Sequence, residues 1–412
     1  MNKSSIPSNP NPSSQNLCGI LYLPMAPEIW DSKDWYAEPI AGVPFLSRNI
    51  LTLQRSGFHE IIIYMDADGA EKLAPLLEKD PRVNVKIHWI TKLDFLKVTL
   101  QNRRSQVLFF NGSALHDKKE VRSLLENEGM KTPEAFTISN EQIESFLEKI
   151  KAHGNKESKE FLKNSRSLIF IPGADHSQLR HPKDFKAMHE RLLKGSGQNH
   201  DSAITRFLSR PVSRKLTRLF LNTPITPNQI TLLSFAMGLG SAVGFAQGTY
   251  PMGVLGALLL LFSTWVDGAD GEIARLKFME SESGGKLDII CDNIVHFFVF
   301  GAIGWGMGKA TGDQTYIYLG ALAAFASLAS FILLGAVILK KNTNTRSTPS
   351  PTQSQTPLAE KLANRDFIHF LMLMAVTDLV QVFIVIAAIG ATLFTSYLTY
   401  LRFTELRMAQ SS

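Results

Sequence analysis

The feature that most limits what this chain can fold into is the uneven placement of its apolar residues. Of 412 residues 45% are hydrophobic, and most of the excess lies between Gln229 and Arg402. Gln229–Gly248, Met252–Asp270, Asp288–Met307 and Tyr316–Leu339 are each close to the ~20 residues that a helix needs to cross a bilayer. Phe367–Leu401 is too long for one span and reads as two helices with a turn near Thr377–Gln381, the first starting before Phe367. The expectation is a six-span all-α bundle over residues 223–403, followed by a tail, 404–412. Lys340, Lys341, Arg346, Lys361 and Arg365 surround the loop between the fourth and fifth spans, and Arg402 and Arg407 follow the sixth. The opposite loops, Thr249–Pro251 and Lys309–Gln314, are short and nearly uncharged, so the positive-inside rule puts both ends of the bundle on the cytoplasmic side. Asn342–Pro357, rich in Ser, Thr, Pro and Gln, reads as a linker.

The first two hundred residues have a different texture. Residues 1–16 are rich in Ser, Pro and Asn and lack the apolar core of a signal peptide, so the amino-terminal half is expected in the cytosol. Over 17–200, short apolar runs (Leu17–Leu23, Glu60–Met65, Val107–Phe110, Leu168–Ile171) alternate with helical patterns (Pro44–Arg55, Ala70–Glu78, Lys119–Asn127, Glu141–Lys151). In Val83–Ile90 every second residue is apolar, as in a half-buried strand. Strands alternating with helices predict an α/β domain with a mostly parallel sheet. Cys18 and Cys291 are the two cysteines, which excludes a disulfide framework and a cysteine-based zinc site.

Between the halves, residues 201–222 form a basic amphipathic segment. Arg206, Arg210, Arg214, Lys215 and Arg218 are interleaved with Ile204, Phe207, Leu208, Val212, Leu216 and Leu219, and Pro211 bends the run. Such a segment suits the membrane interface, its basic side toward anionic headgroups. The net charge of +6 and pI near 9.1 agree with contact to anionic lipid or nucleotide.

The chemistry is concentrated in Asp267–Asp292, DGADGEIARLKFMESESGGKLDIICD. At about 100° per residue, Asp267, Asp270, Gly271 and Ala274 share one helix face. A second helix starting near Gly284 puts Gly284, Asp288 and Asp292 on one face as well. Four carboxylates converging near lipid repel one another unless divalent cations neutralise them, and an all-oxygen donor set selects hard ions such as Mg²⁺ or Mn²⁺. Gly271, Ala274 and Gly284 add no bulk beside the acids, so a nucleotide diphosphate can approach the backbones. The competing reading is that these acids cap helices or pair with Arg275, Lys277 and Lys286.

This stretch resembles the CDP-alcohol phosphotransferase family, whose motif is D-x-x-D-G-x-x-A-R, a spacer, then G-x-x-x-D-x-x-x-D. The chain supplies Asp267, Asp270, Gly271, Ala274, Arg275, Gly284, Asp288 and Asp292 with an eight-residue spacer, and the resemblance extends over Asp201–Arg402, Thr226-Pro227-Asn228 included. It implies two Mg²⁺ or Mn²⁺ ions on Asp267, Asp270, Asp288 and Asp292, with Asp292 also the general base. It implies a CMP site along Gly271, Ala274 and Gly284, and an Arg275 that orients carboxylates or substrate phosphate. The implied reaction moves a substituted phosphate from a CDP-alcohol, CDP-diacylglycerol or CDP-inositol, to an alcohol or polyol-phosphate acceptor, in a membrane-embedded homodimer with no nucleic-acid partner. His296, a turn beyond Asp292, reads either as a support for the site or as a packed bundle histidine. Arg365 reads either as a ligand for acceptor phosphate or as a cytoplasmic anchor.

More weakly, 17–173 resembles a sugar-nucleotide transferase domain through Ile40–Asp66 and Val107–Leu115. It departs from that pattern where the chemistry belongs. The loop Pro24–Trp30 has no glycine, Val43 stands in place of a Lys, and Ser113 in place of a metal-binding Asp. The expectation is a domain that kept its fold and lost nucleotidyl transfer. The fusion resembles bifunctional enzymes that make CDP-inositol and join it to inositol phosphate.

Overall fold

The computed structural model describes residues 18–24, 26, 31–65, 67–101, 107–126, 136–138, 145, 168–196, 205–344 and 367–410. The chain divides into two compact units, Met1–Leu192 and Leu193–Ser412.

The first unit contains strands β1 (Cys18–Tyr22), β2 (Pro39–Ile40), β3 (Val43–Pro44), β4 (Glu60–Tyr64), β5 (Lys86–Ile90), β6 (Leu108–Asn111), β7 (Phe136–Ile138) and β8 (Leu168–Ile171). Its helices are α1 (Ser32–Ala37), α2 (Phe45–Arg55), α3 (Ala67–Glu78), α4 (Leu93–Gln101), α5 (Lys118–Glu126) and α6 (Pro182–Gly195), the last running past the boundary. Six strands form one sheet in the order β5-β4-β1-β6-β8-β7. Every pairing is parallel except β7 with β8.

Alternation along the strands feeds two cores, one on each face. Leu21, Ile61, Ile63 and Phe110 enter the larger, whereas Ile20, Tyr22, Ile62 and Phe109 enter the smaller. With both faces covered, the strands read as continuous apolar runs. Ile61, Ile62 and Ile63 are at most 1% exposed, and each contributes roughly 1.5–3 kcal/mol by burial. The sheet edge β5 instead alternates, Ile87 and Trp89 packing inward. Apart from Ser145, the expected helix Glu141–Lys151 lies outside the described residues, as does the tail 1–16.

The β2–β3 hairpin is absent from the sequence reading, since two-residue strands leave no periodic signal. Its turn holds Ala41 and Gly42 at φ 48° and 75°. The buried Arg48 secures it, donating from Nε and Nη2 to the Ile40 carbonyl at 3.0 and 2.7 Å and from Nη2 to that of Ala41 at 3.2 Å. Burial pulls the Arg48 pKa down to about 9.

The second unit is helical. A π-helical turn (Thr205–Ser209) runs into α7 (Arg210–Leu221), with Pro211 in its first turn, where its missing N–H costs nothing. Then come α8 (Pro227–Ala246), α9 (Tyr250–Leu276), α10 (Glu282–Thr311), α11 (Thr315–Asn344), α12 (Phe367–Val376) and α13 (Val380–Gln410). A capping box starts α8: Thr226 Oγ1 accepts from Gln229 N, and Gln229 Oε1 from Thr226 N.

Among the described residues five helices, α8 to α11 and α13, are long and apolar enough to cross a membrane, so the chain is an integral membrane protein. The fifth of the six expected spans is represented by the ten residues of α12, and any start before Phe367 lies outside the described residues, with Arg365. Its break from α13 falls in the expected place, where Asp378 takes φ 58°. Helices α10 and α11 approach backbone to backbone: a Cβ on Gly304 would lie 2.6 Å from Gly320 Cα. In lipid this close packing substitutes for the missing hydrophobic driving force.

Candidate active site

Helices α9 and α10 are joined by a five-residue connection, Lys277–Ser281. Phe278 at φ 57° lets Met279 N return to the Ala274 carbonyl at 2.8 Å, which ends α9. Ser281 caps α10 by accepting from Gly284 N at 3.0 Å. The resulting hairpin brings the two acidic faces together. Carboxylate oxygens of Asp267, Asp288 and Asp292 all lie within 4.8 Å of one another. Asp267 is buried, and Asp288 and Asp292 are half-buried.

Asp270, also buried, is not part of that tight group. Its Oδ2 accepts a hydrogen bond from Thr231 Oγ1 on α8. One turn along α8, Ser234 Oγ lies 3.4 Å from Asp267 Oδ1, while Ser263 Oγ donates to the Ser234 carbonyl at 2.7 Å. Two hydroxyls of α8 thus hold the two acids of α9. A signal for them was present, since Thr231 and Ser234 lie one and two turns into the helix that Thr226-Pro227-Asn228 begins.

Gly271, Ala274 and Gly284 are half-buried and flank the acids. A Cβ on Gly284 would meet Asn228 Oδ1 at 3.0 Å, and one on Gly271 would meet Arg275 Nη1 at 3.2 Å. Arg275 donates Nε and Nη2 to the Ser196 carbonyl at 3.2 and 2.8 Å. Lys277 Nζ donates to the Thr223 carbonyl at 3.0 Å, and Lys286 lies 4.0 Å from Glu282. Beside Asp267 and Asp292 a small cavity reaches into the bundle, lined in part by Ser234, Ser263, Cys291 and His296. The His296 ring meets Phe367 edge-on, centroids 5.1 Å apart.

Glu272, inside the motif but given no role by its pattern, is fully buried. Its carboxylate takes Arg210 Nη1 at 2.6 Å and Thr217 Oγ1 at 2.7 Å, both from α7. The protein-facing edge of α7 is therefore Ser213, Thr217 and Leu221, whereas Phe207, Leu208 and Leu219 are exposed. An acid at a membrane boundary needs a partner, and the basic segment was the place to look for it.

In the first unit the β1–β6 pairing continues past the strand ends, with Gly112 N donating to the Tyr22 carbonyl at 2.6 Å. Ser113 Oγ donates to Asn111 Oδ1 at 2.8 Å. Val43 is fully buried. His116, buried and pulled down to about 4 by burial, donates Nε2–H to the Asn111 carbonyl. Among the described residues the acidic group on α9 and α10 has no counterpart here. Most of the loop Pro24–Trp30 lies outside the described residues.

Comparison with known proteins matches residues 224–394 to the CDP-alcohol phosphatidyltransferase family. The chain is 32% identical over 164 residues to a bifunctional IPC transferase and DIPP synthase of Rubrobacter xylanophilus, covering 40% of this chain and 35% of that one. It is 37% identical over 93 residues to a phosphatidylinositol phosphate synthase of Corynebacterium glutamicum, covering 22% and 40%. The matches span about a third of the length of the bifunctional relatives. A solved Mycobacterium tuberculosis phosphatidylinositol phosphate synthase with CDP-DAG bound is 18% identical, covering 46% of this chain and 92% of that one, at a TM-score of 0.35, too loose an overlap to bear weight. The aspartate hairpin thus sits within the segment, residues 224–394, that matches the CDP-alcohol phosphatidyltransferase family.

Proposed function

We propose that the chain transfers a substituted phosphate group from a CDP-alcohol to an acceptor alcohol and releases CMP. The observation that carries this reading is the meeting of Asp267, Asp288 and Asp292 within 4.8 Å, beside a strip of small residues. Three carboxylates at this separation repel one another in a membrane protein, and their oxygens suit hard divalent cations. The donor set fits Mg²⁺ or Mn²⁺, and with Asp270 beside it has ligands for two ions. Bound there, such ions screen the donor's diphosphate and stabilise the departing CMP.

The protein's own part follows from its side chains. Gly271, Ala274 and Gly284 let CMP lie against the backbones of α9 and α10, with Arg275 at its edge. Asp292 accepts the proton of the acceptor hydroxyl. The freed oxygen attacks the phosphorus that bears the donor's alcohol, the bond from that phosphorus to the CMP oxygen breaks, and a phosphodiester forms. CDP-diacylglycerol and CDP-inositol are the candidate donors, and an alcohol or polyol phosphate is the acceptor. The active site, the first unit and the carboxyl terminus lie on the cytoplasmic side of a homodimer, an orientation supported by the basic residues around the 340–366 loop. The first unit has lost nucleotidyl transfer, a reading supported by the zipped strand ends and the engaged Ser113 hydroxyl.

The test uses purified full-length protein in lipid nanodiscs with Mg²⁺, either CDP-alcohol, and inositol phosphate, its products read by mass spectrometry. CMP and a phosphodiester appear together and vanish with EDTA. Absence of CMP with every CDP-alcohol tried overturns the proposal. The same preparation given CTP and polyol phosphates releases no pyrophosphate. Pyrophosphate release dependent on one polyol phosphate establishes instead that the protein makes its own donor.

A further inference from the structure

The buried contacts of α7 reach past α9 to the far wall of the cavity. Glu272 lies about 140° around α9 from Asp267, so it turns away from the acidic group. It is held by Arg210 at 2.6 Å and Thr217 at 2.7 Å. Close approach of the two helices depends on Gly268, where a Cβ would sit 3.1 Å from Ser213 Oγ. At the start of α7, Ser209 Oγ lies 3.1 Å from His369 Nε2 on α12. Its neighbour on α12, Ile368, lines the cavity beside Asp267 and Asp292. A continuous series of polar contacts therefore joins the aspartate helix, the basic segment and the helix that walls the cavity.

We propose that Glu272 is a positioning residue: through Arg210 and Thr217 it fixes α7, and through the Ser209–His369 contact it fixes α12 against the aspartates, setting the acceptor side of the site. The proposal rests on the transferase reading for what the cavity receives. The residues assigned to metal and CMP are on α9 and α10, whereas α12 adds Ile368 to the cavity that α8, α9 and α10 otherwise line, so loss of the clamp separates acceptor use from donor binding. Removing one member of a buried ion pair leaves the other charge uncompensated, and a displacement of about 1 Å at a reacting group costs on the order of 10²-fold.

The experiment compares Glu272→Ala and Glu272→Gln with the parent as full-length chains in nanodiscs. Gln keeps one oxygen to accept from Arg210 Nη1 and an amide N–H that can donate to Thr217 Oγ1. Spin labels at Lys215 on α7 and Leu373 on α12, introduced in a background lacking Cys18 and Cys291, report the distance between those helices. Binding of CMP with Mn²⁺, and steady-state kinetics with CDP-diacylglycerol and inositol phosphate, complete the set. In Glu272→Ala the distance distribution broadens and kcat/KM for the acceptor falls about 10- to 100-fold, while CMP affinity is retained; Glu272→Gln, which keeps the hydrogen bonds but not the charge, falls between Glu272→Ala and the parent in both. An unbroadened distribution overturns the proposal. So does broadening with acceptor kinetics unchanged, or loss of CMP binding in parallel with transfer, which marks a general folding defect. If the parent releases no CMP, the transferase reading falls, and the label distances with CMP binding still decide whether Glu272 fixes α12.

Discussion

Replacing Asp292 with Asn is expected to abolish transfer while the protein still folds and binds CMP with divalent metal. The substitution keeps the size of a half-buried side chain and removes its ability to take a proton. Loss of a general base costs about 10²–10⁴-fold in kcat. Asp267 and Asp288 remain within the tight acidic group, and Asp270 remains beside it on Thr231. Mn²⁺ binding followed by electron paramagnetic resonance is therefore reduced far less than turnover. Asp267→Asn provides the contrast. Its side chain is the α9 member of the tight group and Asp288 and Asp292 are the α10 members, so its loss lowers metal affinity and turnover together. Near-normal transfer by Asp292→Asn removes the base assignment, and equal loss of metal binding in both variants makes Asp292 a ligand only.

The contrast between those acids marks how far the sequence could be read. Helical periodicity assigned Asp267 and Asp270 to one face and Asp288 and Asp292 to another, because 100° steps depend on local geometry alone. Which acids meet depends on how α8, α9 and α10 pack, and spacing carries no information about that. Thr231 draws Asp270 aside, and three of the four acids form the tight group. The spans were legible because lipid-facing helices must be apolar along their length. At the acidic hairpin the helices outrun the apolar spans, α9 continuing to Leu276 and α10 beginning at Glu282, close to the start near Gly284 that the motif's periodicity required.

The basic segment taught the opposite lesson. Amphipathicity suggested an apolar side and a polar side, yet the protein-facing edge of α7 carries Ser213 and Thr217 beside Leu221, while Leu219 and, in the turn before the helix, Phe207 and Leu208 are exposed. Hydrophobicity is a poor guide to helix contacts near lipid, where small and hydrogen-bonding residues set the interface. In the first unit the sheet was legible from its buried runs. The roles that a template would give Val43 and Ser113 were not, since burial of one and the engaged hydroxyl of the other are tertiary facts.

The CMP cradle is open to a steric test with a built-in stability control. Gly271 sits inside α9, half-buried, and what an added Cβ meets first is Arg275 Nη1 at 3.2 Å, the far end of a long side chain whose Nε and Nη2 hold the Ser196 carbonyl. No backbone atom of a neighbouring element lies within 4 Å of that Cβ. A glycine in a helix interior costs about 0.8–1.0 kcal/mol relative to alanine, so Gly271→Ala and Gly271→Leu are both expected to unfold no more easily than the parent. The leucine side chain nonetheless projects from the face that carries Asp267 and Asp270, into the space assigned to CMP. Overpacking of about 1–3 kcal/mol corresponds to a loss of about 5- to 150-fold in CMP affinity, with Gly271→Ala at the lower end and Gly271→Leu at or beyond the upper. Arg275→Ala separates the two possible causes: it vacates the space beside Gly271, so any defect that arises only from displacing the guanidinium appears in it as well. Calorimetric titration of CMP in the presence of Mn²⁺ reads all three variants. If Gly271→Leu is folded and binds CMP as tightly as the parent, the nucleotide does not lie against this face of α9. The small residues of the motif then serve helix packing, and the aspartates alone carry the site.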